Sequence, residues 1–380
     1  MASKKDTLPR DEIFNSTVIK LFCSCIPAGL DGNVVFGARS VYDGLLSLYH
    51  GSDAEARAVA DTYGLLQMKP PSNNCCISVC VLLHHDDKTG HVKESFLKSI
   101  RNSGILVAVF GFSSKVKLTD MDADIEQFNK LVEKMTENKI ENAITRDNLK
   151  LPGRVDLLMH TKFTGHWKRP FHYMNTELDG KFKIKDDMTI TLPLMCIDDD
   201  ILDIPMASIE SMDADVYMLP YKENASMLVY LPKSVVEFDV LWMAILIFNS
   251  NDTRFEETLL EPLTLQQYSG ITMPKYKYST DLDISEGLKK LAPFNQLNMS
   301  DVFEVPRSDE SSYTFHIRSH INNDEEGTIT ESTFETYEYD SCVPELPHIL
   351  INKPFAYFII QDSNDIVDLG IFMGQEAKSQ

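Results

Sequence analysis

The chain has 380 residues, 43% of them hydrophobic and 24% charged, and a formal net charge of −21, a balance that excludes disordered and fibrous classes. Its length supports a large core and by itself would allow two or three domains. The acidic surface repels polyanions, and basic residues come singly or in pairs, as at Lys4-Lys5, Lys168-Arg169 and Lys289-Lys290, so neither a nucleic-acid partner nor a heparin site is expected.

In chain order, Met1 to Asp11 lacks the apolar stretch of a secretory leader. The expected location is cytoplasmic, or extracellular if a leader was removed upstream of Met1. Apolar residues at three- and four-residue spacing then predict helices over Glu12–Cys25, Ala38–His50 and Asp53–Gly64, followed by a Pro- and Asn-rich loop at 69–74. The run Cys75-Cys76-x3-Cys80-x3-His84-His85 offers zinc-type ligands. The residues between them, Ile77 to Leu83, are apolar and partly β-branched, so a strand with buried cysteines is expected and no metal. Further strands are predicted at Asp156–Phe163, Val216–Leu219, Met227–Leu231, Pro274–Tyr278, Ala356–Ile360 and Ile366–Phe372. The apolar run Val240–Phe248 is less than half a membrane span and predicts a buried helix or strand, with no membrane contact. Helices first and strands later, without βαβ alternation, point to α+β with mainly antiparallel sheet. The seven cysteines show no disulfide spacing.

No G-x-S-x-G, P-loop, G-x-G-x-x-G or H-E-x-x-H motif occurs, which argues against common hydrolases and nucleotide enzymes. No catalytic residue and no cofactor is expected. The segment from Asp324 to Pro344 is polar and acidic between two apolar strands, and is longer than an ordinary loop of about 4–6 residues. Within it Thr328, Thr330 and Ser332 place small side chains at a period of two, the pattern of a loop that has to become a strand over a packed sheet.

Six motifs in order along the chain resemble the serpin family. They are Thr136-x-Asn138-Lys139-Ile140, Phe163-x-Gly165-x-Trp167-x3-Phe171, Leu219-Pro220-Tyr221-x4-Ser226-Met227-x3-Leu231-Pro232, Pro274-Lys275-Tyr276-Lys277, Asn352-Lys353-Pro354-Phe355 and Phe372-Met373-Gly374. The resemblance implies a single domain over residues 1–380, eight or nine helices, three mainly antiparallel sheets, and an exposed reactive-centre loop at about 327–346. It also implies a hinge at Glu326, Gly327, Thr328, Thr330 and Ser332, and a sheet-opening region that includes Ser40 and Trp167. Two departures fall in that region: Gly37-Ala38 stands where the family has Ser-Pro before Ser40, and Met159 stands where it usually has Asn.

The activity implied is suicide inhibition of a protease by loop insertion, with a covalent protease complex and a monomeric inhibitor. Counting forward from Gly327 puts the cleaved bond near Ser341-Cys342, and counting back from Asn352 puts it near Val343-Pro344. No Lys or Arg occurs between Arg318 and Lys353, so trypsin-like targets are not expected. Tyr337 and Tyr339 suit chymotrypsin-like enzymes; Tyr339 and Val343 suit papain-like ones, and Tyr337-Glu338-Tyr339-Asp340 resembles a caspase site. The cysteine proteases are the preferred class. The alternative is a non-inhibitory carrier, chaperone or storage member, because Ile329 and Thr330-Glu331-Ser332-Thr333 replace the family's Glu and Ala-rich run.

Overall fold

The computed structural model describes residues 10–26, 32–62, 76–85, 90–112, 116–117, 120–138, 140–150, 155–198, 201–247, 255–291, 296–304, 313–328, 346–361 and 365–374. Among these are seven α-helices: α1 (Arg10–Cys25), α2 (Ala38–Gly51), α3 (Ala54–Thr62), α4 (Glu94–Asn102), α5 (Asp122–Met135), α6 (Phe238–Ile247) and α7 (Ser285–Lys290), together with a short π-helix at Glu256–Leu260. The first three lie where the apolar spacing predicts them. In α1 the stripe of Phe14, Val18, Leu21 and Phe22 is buried, and the Asn15 Oδ1 atom accepts a hydrogen bond from the Ile366 backbone N–H at 2.9 Å.

The run at Val240–Phe248 corrects the expectation of a buried element. Residues to Ile247 lie in α6, where Leu241, Ala244 and Ile245 are buried but Val240, Met243 and Ile247 are 53%, 46% and 43% exposed. An apolar composition all round does not bury a helix that packs on one side only.

Strands follow as β1 (Val34–Gly37), β2 (Cys76–His85), β3 (Leu106–Phe112), β4 (Val155–Phe163), β5 (Gly165–His166), β6 (Glu177–Lys185), β7 (Met188–Ile197), β8 (Leu202–Ile209), β9 (Ala214–Pro220) and β10 (Ala225–Pro232). The remainder are β11 (Thr264–Tyr268), β12 (Gly270–Pro274), β13 (Tyr276–Asp283), β14 (Tyr313–Asn323), β15 (Gly327–Thr328), β16 (His348–Leu350), β17 (Phe355–Gln361) and β18 (Ile366–Phe372). They form three larger sheets, ordered β1-β18-β17-β10-β9-β8-β11, β16-β12-β7-β6 and β13-β14-β4-β2-β3, and a ribbon of β15 with β5. The α+β class and the three sheets agree with the sequence reading.

In the five-stranded sheet two pairings are parallel, β14 with β4 (Tyr313↔Val155 through Ser319↔Thr161) and β2 with β3. The single strand predicted at Pro274–Tyr278 is instead the end of β12 and the start of β13, in different sheets. Pro274 has no N–H to extend a ladder, and Lys275 turns away to donate to the Pro193 carbonyl at 2.9 Å.

The described residues group into two compact units, one from 1–36, 163–279 and 320–380 and one from 37–162 and 280–319. The first holds β17 and β18, whose seven residues each are buried throughout. The second holds a cluster of Val79, Val81, Leu83, Phe110, Phe128 and Val132 around β2, β3 and α5. The zinc-like segment is the strand β2, as its composition predicts. Cys76, Cys80 and His84 are buried in it, and burial pushes the Cys80 thiol up to about 12 despite a hydrogen bond from Ser47. No helix among the described residues is long and apolar enough to cross a membrane.

Candidate functional site

In the first unit the end of β14 leads into a tight turn. The Asp324 N–H donates to the Gly327 carbonyl at 2.9 Å and the Gly327 N–H returns a bond to the Asp324 carbonyl at 3.2 Å. The Asp324 carboxylate also accepts from the Glu326 and Gly327 amides. The turn delivers Gly327 and Thr328 onto His166 and Gly165 as a short antiparallel pair. Gly327 has φ +141°, and a Cβ there would stand 2.1 Å from the Gly165 carbonyl oxygen. Only glycine fits both the dihedral and the close approach.

Trp167 clamps the same turn. Its backbone N–H donates to the Glu326 carbonyl at 2.8 Å and its indole Nε1–H to the Asp324 carbonyl at 3.0 Å. The indole is 2% exposed and stacks on Tyr221 with centroids 4.4 Å apart, so burial and an aromatic contact fix its direction. The Phe171 N–H donates to the Glu325 carbonyl at 2.7 Å, while the Glu325 side chain takes bonds from Thr176 Oγ1 at 2.7 Å and Lys275 Nζ at 2.6 Å. Burial raises the Glu325 carboxyl, but Lys275 and Thr176 outweigh it and hold the group below its ordinary value. His166 is tied to Glu223 through its backbone N–H, at 2.8 Å, and through its ring.

The groups gathered here are main-chain donors and acceptors, a buried indole and an ion pair. Their chemistry is to hold a strand end. The sequence reading found Trp167, Glu326, Gly327 and Thr328, and the structure brings these together. It missed Asp324, Glu325, Thr176 and Lys275, although Lys275 lies in a motif already noted. Tyr337, Tyr339, Asp340, Ser341, Cys342 and Val343, with Thr330 and Ser332, lie outside the described residues.

In the second unit Ser40, on the first turn of α2, is fully buried. Its hydroxyl donates to Thr161 Oγ1 at 2.7 Å, and Thr161 donates onward to Ser78 Oγ at 3.2 Å. The Gly37 N–H donates to Ser319 Oγ at 2.7 Å. Gly37 also occupies the N-cap of α2 without a side-chain cap, and a Cβ there would lie 2.9 Å from Ser319 Oγ. Glycine in place of a serine cap costs only about a few tenths of a kcal/mol, less than the about 0.5–2 that alanine would cost, and here it seats Ser319. Met159, where an Asn is expected, is buried, and Thr161, two residues along the same face of β4, carries the polar link instead. One turn further, Arg39 Nε bonds the fully buried Asp43 at 2.7 Å, and burial keeps that carboxyl above its ordinary value despite the guanidinium.

This fold, α+β with a parallel seam in one sheet and a clamped strand end after it, defines a class of protein in which one segment is anchored at its base beside a sheet. The chain belongs to the serpin family, described as serine protease inhibitor, whose pattern matches residues 14–377. It is 28% identical over 192 residues to Alaserpin of Manduca sexta, covering 47% of this chain and 44% of that protein. It is 24% identical over 259 residues to human Serpin B9, covering 65% of each. The aligned stretches thus span less than two thirds of both relatives. The solved structure of Serpin48 from Tenebrio molitor superposes with a TM-score of 0.71 at 19% identity, over 98% of this chain and 99% of that one, which speaks to the fold alone.

Proposed function

We propose that this serpin inhibits a protease as a suicide substrate, with residues 327–346 as the reactive loop. The observation that carries the reading is the parallel pairing of β14 with β4 combined with the turn at Asp324–Gly327. A chain that reverses after β14 and enters between these strands would run antiparallel to both. One parallel ladder is then replaced by two antiparallel ones, which are slightly more stable per residue. Thr328, Thr330 and Ser332 share one parity, so small side chains would face the core of the widened sheet.

The reaction itself is the protease's. Its nucleophile attacks the loop carbonyl, the peptide bond breaks with the new amine leaving, and an acyl-enzyme remains. Insertion of the cut loop then has to outrun attack by water on that ester or thioester. The absence of Lys and Arg from 319 to 352 turns trypsin-like enzymes away. Tyr339, Asp340 and Val343 favour a cysteine protease of papain or caspase type over a chymotrypsin-like one.

The test is incubation with trypsin, chymotrypsin, papain and a caspase, followed by denaturing electrophoresis and thermal melting. We expect a denaturant-resistant complex with a cysteine protease and none with trypsin. Cleavage between residues 335 and 346 should raise the melting temperature sharply, since insertion releases a kinetically trapped state. In Thr328→Arg, burying a charge costs several kcal/mol, and the variant should be cut as a substrate while trapping little protease. A complex with chymotrypsin alone would overturn the target class. Clean cleavage with an unchanged melting temperature would overturn loop insertion and favour the carrier, chaperone or storage reading, which the Ile329 and Thr330–Thr333 departures already suit.

A further inference from the structure

The four-stranded sheet carries a second, chemically distinct cluster. Its register sets Cys196 of β7 opposite Thr272 of β12, and Gly270 of β12 opposite His348 of β16. Because side chains alternate along a strand, residues 270 and 272 share one face of β12. Cys196, Asp198 and His348 each place one ligand atom there, all within 4.8 Å of one another. Cys196 is 9% exposed, while the side chains of His348 and Asp198 are 32% and 51% exposed. The cluster is therefore closed on the sulfur side and open to solvent on the carboxylate side.

The hydrogen bonds fix the histidine's orientation. The Thr272 hydroxyl donates to Cys196 Sγ at 3.2 Å, so its oxygen is left to accept from His348 Nε2, 2.8 Å away. With the proton on Nε2, a neutral ring turns the Nδ1 lone pair toward Asp198 Oδ1 at 3.5 Å. Two acceptors then face each other, an arrangement that a second ring proton or a metal cation between them satisfies. Gly270 lets the ring sit this close, since a Cβ at that position would come within 2.8 Å of His348 Cε1 and 2.9 Å of Nδ1. A metal-bound histidine characteristically gives its second N–H to such a partner, which sets the tautomer and raises ligand basicity.

We propose that Cys196, Asp198 and His348 form a binding site for a divalent transition metal of the zinc type, with His348 ligating through Nδ1 and Thr272 holding both the ring and the sulfur. A thiolate, an imidazole and a carboxylate are the donors zinc takes, and three protein ligands with water in the fourth position is its usual open arrangement. On binding, the Cys196 thiol loses its proton to solvent and the sulfur becomes the thiolate ligand. The consequence is mechanical. Strand β16 has three residues and is the first element after the loop segment. The metal ties it across β12 to the end of β7 and so fixes the far end of that segment. The proposal rests on this sheet alone and stands whether or not the loop inhibits a protease.

The test uses the full chain, reduced and stripped of metal, titrated with Zn2+ by calorimetry and with Co2+ by absorption. The wild type should take one equivalent at this site, give the visible bands of tetrahedral cobalt, and show a thiolate-to-cobalt charge-transfer band. Cys196→Ser should abolish that band, and His348→Ala and Cys196→Ser should each weaken zinc binding by about 100-fold or more, with Asp198→Asn weakening it at least about 10-fold. If Cys196→Ser fails to fold, His348→Ala and the more exposed Asp198→Asn decide the matter. Zinc bound with unchanged affinity and stoichiometry in Cys196→Ser or His348→Ala, or in both fallback variants, would overturn the proposal. So would failure of the wild type to bind micromolar zinc.

Discussion

The seven-stranded and five-stranded sheets bury their residues to different ends. In the first, β17 and β18 are buried along their whole lengths, and the rings of Phe355, Tyr357 and Phe372 on these strands pack with Tyr276 and Tyr278 of β13, the edge strand of the five-stranded sheet, within 6.4 Å of one another in successive pairs. A polar linkage runs through these rings, Tyr278 Oη to Tyr357 Oη at 3.0 Å, completed by the Val34 and Ile371 carbonyls, and the Asp368 carboxylate of β18 is buried beside them. In the second, the parallel seam of β14 and β4 is bordered by buried Ser78, Asp156, His160, Thr161 and Ser319. Apolar contact is non-directional, and a large loss follows when it is broken. Hydroxyl bonds net only about 0.5–1.5 kcal/mol each and re-form on new partners. The contrast predicts that the seam separates at lower cost than the aromatic packing around β17 and β18, although Leu157, Phe315 and Ile317 of the seam strands are buried as well.

Three substitutions would break or sharpen this contrast. Tyr357→Ala removes a ring that is fully buried, and should cost about 3–5 kcal/mol, seen as a large fall in melting temperature at fixed scan rate. A loss no greater than that of a hydroxyl deletion would place the main core elsewhere.

Asp156→Asn should act in the opposite direction. Asp156 is 2% exposed, and burial pushes its carboxyl up to about 6, with Asp283 adding to the rise and Thr314 and His316 opposing it. A carboxyl raised in the folded state binds more protons there than when unfolded. Its stabilising contribution is thus complete below about pH 4 and is lost as pH rises through about 6. The Asn variant should therefore gain on the wild type across that window, by up to ~3 kcal/mol at neutral pH. Parallel melting curves from pH 4 to 7 would show that the seam does not strain this group.

The smallest effect belongs to Ser40→Ala, which takes away the donor to Thr161 Oγ1. It should lower stability by about 1 kcal/mol. A loss as large as that of Tyr357→Ala would mean that the hydroxyl chain, rather than apolar packing, holds the seam.

Much of this was legible before any coordinates. Strand β18 occupies Ile366–Phe372 as read from its apolar run, because a strand buried on both faces writes a continuous hydrophobic segment. Strands β6 and β11 went unread. In β11 four of five residues are exposed, so no apolar run marks it and its pairing partner decides its conformation, whereas β6 alternates buried Phe182 and Ile184 with lysines, a short signal the sequence reading passed over. At the hinge, Gly327 and Trp167 were legible from their motifs, whereas Glu325 was one acid among many until Lys275 and Thr176 closed on it.

What the sequence by itself determined is the class of fold, the family and the composition of the loop, since apolar periodicity, ordered motifs and the lack of Lys and Arg from 319 to 352 are properties of the chain alone. The tertiary structure alone decided which residues meet: Ser40 with Thr161 across 121 positions, Trp167 with Asp324 across 157, and Cys196 with Asp198 and His348. Strand register sets the strand partners in these meetings. A shift of one residue would turn Thr161, Cys196 or His348 to the opposite face, and register is set by the packing of the whole sheet.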